Sequence, residues 1–502
     1  MFDLIIKNGT IYDGTLSEPF ISDIGIIGNK ISAIGKLPQK AKKIIDAKNL
    51  IVTPGFIDIH THCDMAFKRT ILKKYHDAVP EECKRNHNQL HQGITTVVTG
   101  NCGLGYSNTE FWLDIVDSID FSANVFHLIP YGIVREDVFG DNQPKNLSSS
   151  QLELLKNRVT EEMENSAIGF STGLEYAPGC FSSTEELIKI AKVVRKNNGI
   201  YATHIRNETG IGKGNFNILD SIKEAIEIGK QADIPVEISH LKLGLPKGDV
   251  AISQVLELIE KARDEGLDIT VDQYPYNAGN TMLTHLLPDE FKTSNSIKKE
   301  YKTIFGRKEI LKIISQIFET YINPSQIIIS DYPHKKEHEG LTLNEISELD
   351  NKNVCDCYID MVCEEISPWG IFFLTDEKDI KQIASKNYVI TSSDSWTIQK
   401  DVAKPHPRFY GSFPKKIRKY VLDDKMLSLQ KAIYSMTSLP SEKFKIEKRG
   451  KIKEGYFADI NVIDLEKLTD KATYKNPHQY AEGLEYLIIN NTLLIDKGKL
   501  LA

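Results

Sequence analysis

Six side chains of the types that bind transition metals stand where predicted β-strands end. They are His60, His62, Cys102, His204, His240 and Asp394. Imidazole nitrogen, thiolate sulfur and carboxylate oxygen are the ligands that zinc takes in proteins. Side chains of an extended segment alternate between two faces, so His60 and His62 point the same way and can reach one ion. The sequence therefore predicts a zinc site assembled from several strands.

Each of these residues also has an ordinary structural interpretation. A single histidine at a strand end is more often a hydrogen-bonded core residue, a lone cysteine a small buried hydrophobe, and an aspartate a helix cap. The coincidence of such residues at five strand ends favours the metal site. Cys63 directly follows His62, so alternation turns it away from the ion. His334 and His338 lie in a charged stretch and are predicted to be surface residues.

The elements that must position the six residues recur along the middle of the chain. Strand-like segments stand at 55–60, 93–100, 124–131, 167–172, 199–205, 234–240, 267–274 and 387–394. They alternate with stretches of helical period such as SSTEELIKIAKVVRKNNG, a pattern typical of parallel β/α units. Eight units predict a closed (β/α)8 TIM-type barrel, in which the C-terminal strand ends converge on one site. A doubly wound open sheet is the alternative, although no glycine-rich phosphate loop follows the first strand.

The two chain ends differ from the middle in pattern. Both carry short Ile- and Val-rich runs, and those at the start are separated by Asn-Gly and Gly-Asn turns. We expect one small β-domain formed from 1–54 and 431–502, with the catalytic barrel at 55–430; two unrelated β-extensions are the alternative. An insertion at about 282–386, between strands 7 and 8, is too long for a loop and predicts a lid or subdomain. Its strand-like segment 326–330 competes for a place in the barrel.

Composition excludes several classes of protein. Of the 502 residues, 41% are hydrophobic and 26% are charged, as in ordinary globular proteins. The net charge of −7 argues against a nucleic-acid-binding protein. The chain has no apolar run long enough to predict a membrane span, and it starts without a signal-peptide pattern. The seven cysteines are too few for a disulfide scaffold. Together with the missing signal peptide, they predict a cytoplasmic protein. A homo-oligomeric state is left open.

The order of short motifs along the chain resembles that of a known family. GFIDIHTHCD after a β-rich start, with RGKIKEGYFADINVID near the end, resembles the amidohydrolase superfamily of metal-dependent hydrolases. Within that superfamily, TGNCG, STGLEYAPG, THIRNE, ISHLK, DQYPYNAG, SSD and HPRFYGSFPK resemble the N-acyl-D-amino-acid deacylases, or D-aminoacylases. The resemblance covers essentially the whole chain. It implies zinc-dependent hydrolysis of the amide bond of N-acyl-D-amino acids to a carboxylate and a free D-amino acid.

The resemblance also implies how the metal site is divided. It assigns one tightly held zinc to Cys102, His204 and His240. A second, weaker position, whose occupancy is left open, falls to His60, His62 and Asp394, with Cys102 able to bridge. Zinc lowers the pKa of a bound water towards about 7. Asp394 is then expected to act as general base and afterwards as general acid.

Recognition of a small-molecule N-acyl amino acid follows from the same resemblance. Its α-carboxylate needs hydrogen-bond donors or a cation. The family pattern places Tyr176, Lys242 and Asn280 there, and Arg408 is a further candidate. Two alternatives are kept: another amide hydrolase of the superfamily, such as a D-dipeptidase or a dihydroorotase-like cyclic amidase, and a non-catalytic scaffold.

Overall fold

The computed structural model describes residues 1–38, 40–71, 79–140, 142–209, 216–244, 250–288, 291 and 294–501. Its strands are β1 (Phe2–Ile11), β2 (Phe20–Ile27), β3 (Lys30–Gly35), β4 (Ala41–Asp46), β5 (Ile51–Pro54), β6 (Phe56–Asp58), β7 (Ile94–Thr99), β8 (Asn124–His127), β9 (Ile129–Pro130), β10 (Gly169–Gly173), β11 (Ile200–His204), β12 (Val236–Ile238), β13 (Ile269–Gln273), β14 (Gly279–Met282), β15 (Ile327–Asp331), β16 (Trp369–Phe372), β17 (Val389–Thr391), β18 (Ile460–Ile463), β19 (Leu484–Ile489), β20 (Thr492–Asp496) and β21 (Lys499–Leu500).

The α-helices are α1 (Cys63–Ile71), α2 (Glu81–Lys84), α3 (His87–Leu90), α4 (Thr109–Ser118), α5 (Tyr131–Phe139), α6 (Ser149–Glu164), α7 (Thr184–Lys196), α8 (Ile218–Ala232), α9 (Ile252–Asp264), α10 (Ser294–Tyr301), α11 (Ile304–Thr320), α12 (Leu343–Leu349), α13 (Val354–Val362), α14 (Glu377–Ala384), α15 (Arg408–Lys415), α16 (Leu429–Met436) and α17 (Ser438–Lys443). A π-helical segment, Lys416–Asp423, continues α15.

Parallel strands close into a barrel of eight. The order β6-β7-β8 continues through β9-β10-β11-β12-β13-β17, and only Leu128 separates β8 from β9, so these two count as one barrel strand. The ring closes where Thr61 pairs in parallel with Ser395 and the Asp394 N–H donates to the His60 carbonyl at 3.0 Å. The predicted (β/α)8 barrel is confirmed, and closure excludes the open-sheet alternative.

The barrel strands are apolar on both faces because helices cover them. Every residue of β7, β10, β11 and β13 is buried. Helices α7, α8 and α9 pack their Leu, Ile and Val side chains onto this layer in one continuous core. Helix α8 begins with a capping box at Asn217, whose side chain accepts the Leu219 N–H at 2.8 Å. Such local signals make the β/α repeat visible in the sequence.

One nine-stranded sheet contains strands from both chain ends. Its order is β21-β20-β19-β18-β5-β1-β2-β3, and β4 also pairs with β1. Strand β18 runs antiparallel to β5, with Val462 opposite Val52, and this pair joins the two ends. The small β-domain is therefore one unit, and the alternative of two separate extensions is wrong. Helices α16 and α17 lie against β6 of the barrel. The boundaries at 54 and 430 stay predictions.

The insertion has a sheet and a core of its own. Antiparallel strands β14, β16 and β15 form a three-stranded sheet, so the segment that competed for a barrel position belongs to the insertion. Its core includes Leu283, Ile314 and Tyr358. The prediction that His338 lies on the surface is wrong: it is buried, and its Nε2 lies 3.2 Å from Asp350 Oδ1. Within the described ranges, no helix is long and apolar enough to cross a membrane.

Candidate active site

The six candidate ligands lie together at the C-terminal face of the barrel. Each follows or ends a barrel strand: His60 and His62 after β6, Cys102 after β7, His204 in β11, His240 after β12 and Asp394 after β17. All six are buried. Parallel strands in a closed barrel deliver their C-terminal ends to one face, which explains how residues more than 300 positions apart meet.

Short distances link thiol, imidazoles and carboxylate. Cys102 Sγ lies 3.3 Å from His60 Nε2 and 3.6 Å from His240 Nε2. Asp394 Oδ1 lies 3.6 Å from the same His60 Nε2 and 3.3 Å from His62 Nε2. The His204 and His240 rings stand edge to face, with 4.5 Å between their centroids. The cluster is dense enough for one ion to reach several of these atoms.

The grouping of ligand atoms differs in part from the predicted division. Three sets have their ligand atoms within 4.8 Å of one another: His60, Cys102 and His240; His60, His62 and Asp394; and His204, Glu208 and His240. The second set coincides with the predicted weaker position. The predicted tight set of Cys102, His204 and His240 is not among the sets found in the described residues. The division of ligands between two ions therefore stays a prediction.

Three site residues adopt a backbone conformation that side chains rarely take. Cys102, His240 and Asp394 have φ values of 54°, 34° and 49°, in the left-handed region. Nearby Gly100 has φ 77°, and a Cβ there would lie 2.0 Å from the Leu128 carbonyl oxygen. Such strain costs about 1–3 kcal/mol per residue and gathers at functional sites. The turns after the strands thus place these side chains over the barrel mouth at a cost in backbone energy.

The cluster favours charged side chains despite its burial. Burial alone would raise the pKa of the Cys102 thiol, but His60, His204 and His240 hold that pKa well below its usual value. Burial would likewise raise the pKa of Asp394, but Arg408 and His60 lower it. Thiolate and carboxylate are the forms that bind metal ions.

Three carboxylates that the sequence analysis did not single out support the histidines. Asp272 Oδ2 lies 3.1 Å from His60 Nδ1, Glu208 Oε1 lies 3.1 Å from His240 Nδ1, and Glu175 Oε2 lies 3.2 Å from His204 Nε2. Carboxylate partners fix the orientation and tautomer of metal-binding histidines. Two signals were present in the sequence: Asp272 lies in the predicted seventh strand, and Glu208 stands four residues after His204.

The four predicted substrate-binding residues surround the same space. The Tyr176 ring lies 4.6 Å from that of His204, and Lys242 Nζ lies 2.7 Å from Glu208 Oε2. Arg408 donates from Nη1 to Asp394 Oδ2 at 2.8 Å. The buried Asn280 accepts a hydrogen bond from Ser330 of the insertion at 2.8 Å. Lys242 and Arg408 are thus already paired with acids of the site.

Two adjoining cavities open over the cluster. The space in them, including their open mouths, is about 610 and 490 Å³, and they share Tyr176, His240, Asn280, Thr281, Asp394 and Arg408. The insertion supplies part of the walls through Met282, Trp369 and Phe372. The arrangement is that of a metal-dependent enzyme with a small organic substrate.

Comparison with known proteins identifies the family. An amidohydrolase family model matches residues 378–495. D-aminoacylase of Alcaligenes xylosoxydans xylosoxydans is 31% identical to the chain, over 97% of the chain and 93% of the relative. The chain belongs to the D-aminoacylase family of amidohydrolases.

Solved structures agree with membership of the D-aminoacylase family. N-acyl-D-glutamate deacylase of Bordetella bronchiseptica, complexed with zinc and a phosphonate mimic of the tetrahedral intermediate, has a TM-score of 0.82 at 25% identity, covering 98% of this chain and 96% of that one. A D-aminoacylase described as having a binuclear metal centre has a TM-score of 0.80 at 27% identity, covering 100% and 98%. The predicted family is confirmed, whereas the roles of individual residues stay predictions.

Proposed function

We propose that the protein is a zinc-dependent hydrolase that cleaves the amide bond of N-acyl-D-amino acids, giving a carboxylate and a free D-amino acid. The observation that carries the proposal is the combination of a full-length family match with the buried cluster around Cys102 and Asp394. Intact metal and base residues also argue against the non-catalytic scaffold.

The chemistry of the donor set fits zinc. A thiolate, four imidazoles and a carboxylate are borderline-soft and hard donors of the kind that zinc accepts together. Cys102, His204 and His240 would hold the tight ion, and His60, His62 and Asp394 the weaker one. When bound, zinc supplies an acidified water and polarises the substrate carbonyl.

Asp394 carries the proton in this proposal. Arg408 and His60 lower its pKa and keep it ionised at neutral pH, so Asp394 is a weak base that takes the proton only from an acidified water. Arg408 holds Oδ2 at 2.8 Å, which leaves Oδ1 on the histidine side to exchange the proton. As the tetrahedral intermediate collapses, Asp394 returns that proton to the departing nitrogen, which leaves as a neutral amine.

Cations that can bind the α-carboxylate of the substrate line the cavity of about 490 Å³. Lys242 and Arg408 both line it, together with Tyr274 and Asn280. With carboxylate and amide both held, inversion at Cα moves the side chain to a different wall of the cavity. Fixed geometry at two points is therefore the basis proposed for the D preference.

A metal-dependence assay over a small substrate panel tests the proposal. Chelator-treated protein and the same protein reloaded with zinc are compared on N-acetyl-D- and N-acetyl-L-leucine, N-acetyl-D-glutamate, a D-dipeptide and dihydroorotate. We expect zinc-dependent hydrolysis of N-acetyl-D-amino acids. Turnover confined to the dipeptide or to dihydroorotate would assign the protein to the amide hydrolases kept as alternatives, and zinc binding without any turnover would indicate the scaffold.

The compartment and the assembly belong to the same proposal. All seven cysteines are free thiols, which persist in reducing compartments, and this supports a cytoplasmic location. A homo-oligomeric state stays a prediction that light scattering on the purified protein would measure.

A further inference from the structure

The two cavities over the metal cluster differ in chemistry. The cavity of about 490 Å³ contains Lys242 and Glu208, together with the Tyr274 and Thr209 side chains. The cavity of about 610 Å³ is polar where it borders the metal cluster and along β14, which contributes Asn280 and Thr281. Its other described walls are apolar: Met65, Ala66, Leu104, Met282, Trp369 and Trp396. The site therefore has one charged side and one apolar side.

This difference fixes which way an N-acyl amino acid lies. Its carboxylate is expected on the side of Lys242, because Lys242 lines the charged cavity but not the apolar one, whereas Arg408 lines both. The amide lies over the metal cluster, whose His240 and Asp394 border both cavities. The acyl group then extends into the apolar cavity, since it leaves the amide carbon in the opposite direction.

A further groove adjoins the apolar cavity. This groove of about 770 Å³ shares Ala66, Asn280, Trp369 and Trp396 with it. Trp369 from β16 of the insertion and Trp396 after β17 meet edge to face, with ring centroids 5.2 Å apart, at this junction. The ring of Phe409 packs edge to face against Trp396, with 4.5 Å between the ring centroids. The two tryptophans form the wall where the cavity passes into the groove.

The outer groove keeps the apolar character along most of its length. Its described walls include Val79, Cys83, Ile398 and Val402, and Asp331 is the one acidic residue among them. An acetyl group would fill only the part next to the metal cluster. A chain of several methylene groups would displace water from the rest, and each buried methylene strengthens binding about fourfold.

We propose that the apolar cavity and the outer groove form an acyl tunnel, and that the substrates are N-acyl-D-amino acids with long linear acyl chains. The inference rests on the proposed function and adds the substrate class to it. Ala66, on α1, lines both spaces, so a bulky side chain at this position would reach the place where they adjoin.

A chain-length series on the zinc-loaded protein tests the tunnel. N-acetyl-, N-butanoyl-, N-hexanoyl- and N-octanoyl-D-leucine differ only in the part that would enter it. If half of the six methylene groups added between acetyl and octanoyl are buried, kcat/KM should rise about 60-fold. Ala66→Phe should bring the octanoyl-to-acetyl ratio close to one, whereas Ala41→Phe, in β4 of the β-domain, should leave the ratio unchanged. Trp369→Ala removes an apolar wall and does not block the tunnel. It should also lower the octanoyl-to-acetyl ratio, because the acyl chain loses its contacts with the indole ring.

Tryptophan fluorescence gives a readout that does not need turnover. The protein has three tryptophans; Trp369 and Trp396 line the tunnel, and Trp112 is buried in a different core. Octanoate should change the emission at a concentration about 60-fold lower than acetate requires and about 15-fold lower than butanoate requires, and Ala66→Phe should abolish these differences.

Failure of the tunnel and failure of the proposed function give different results. Hydrolysis of the acetyl substrate without a length preference, or an unchanged preference in Ala66→Phe, would overturn the tunnel alone. Failure to hydrolyse D-substrates of every length would overturn the proposed function as well.

Discussion

Replacement of Lys242 by methionine tests how the substrate carboxylate is held. Lys242 Nζ lies 2.7 Å from Glu208 Oε2, and the side chain is 17% exposed, towards the charged cavity. Burial alone would lower the pKa of Lys242, but Glu208 raises it above the usual value, so the side chain stays charged. Methionine keeps most of the apolar stem and removes only the ammonium group.

The magnitude follows from one charged hydrogen bond. Such a bond contributes about 1.5–3 kcal/mol, which corresponds to a loss of about 10- to 150-fold in kcat/KM. Most of it should be a higher KM, with a smaller fall in kcat because a loosened substrate leaves the reactive geometry. Glu208 also loses its partner. It keeps His240 Nδ1 at 3.1 Å and His204 Nε2 at 3.9 Å, so the loss of stability should stay below the roughly 3–5 kcal/mol of a broken buried pair.

Steady-state kinetics on two substrates separates the roles of Lys242. N-acyl-D-leucine carries the carboxylate, and the matching N-acyl-3-methylbutylamine lacks it. We expect the variant to be impaired on the acid and nearly unaffected on the amine, with unchanged zinc content by atomic absorption. Lys230→Met, at an exposed ion pair with Glu265, is the matched control. Equal losses on both substrates would show that Lys242 acts on the fold or the metal ligands and not on the carboxylate.

Three further changes probe the base, the metal anchor and a buried cation. Asp394→Asn should lower kcat by about 10²–10⁴-fold or more while the tight zinc stays bound, and near wild-type turnover would refute the assignment. Cys102→Ala should lose zinc and activity together. Cys63→Ala is the control and should retain zinc, because Cys63 Sγ lies 3.3 Å from Gln89 Oε1 and not among the metal ligands. Full zinc content in Cys102→Ala would show that Cys102 is not a metal ligand. Burial and Lys431 lower the pKa of Lys416 from 10.5 to about 7, so the unfolded chain binds more protons between these values and wild-type stability should rise with pH across them. Lys416→Met should abolish a gain of about 2–3 kcal/mol between pH 7 and 9 in urea unfolding, and an identical pH dependence in both proteins would refute the lowered pKa of Lys416 in the folded protein.

The positions of the metal ligands follow from strand pattern, but their grouping does not. Strand-end residues such as His204 and His240 are predictable because a closed barrel gathers all its C-terminal ends. Which imidazole faces which neighbour depends on the left-handed turns at Cys102 and His240, and a strand pattern carries no information about them. For this reason the cluster was predictable, whereas the sets of atoms within one ion's reach were not.

Tertiary contacts account for the features that the sequence analysis missed. Asp272 and Glu175 support histidines 212 and 29 residues away, so local spacing gives no sign of the pairing. His338 stands in a charged stretch, but Asp350 and the ring of Tyr332 enclose it in the insertion. A charged sequence around a residue therefore does not predict exposure when another segment of the chain supplies the residues that bury it.

The stereochemistry of the released product shows directly whether the protein is a deacylase specific for D-amino acids. The zinc-loaded protein is incubated with racemic N-octanoyl-leucine, and the free leucine is resolved on a chiral column. We expect D-leucine alone, conversion that stops when half of the racemate is consumed, and release that is at least about 100-fold slower with Asp394→Asn. Release of L-leucine at a comparable rate, or undiminished release by the Asn variant, would contradict this expectation.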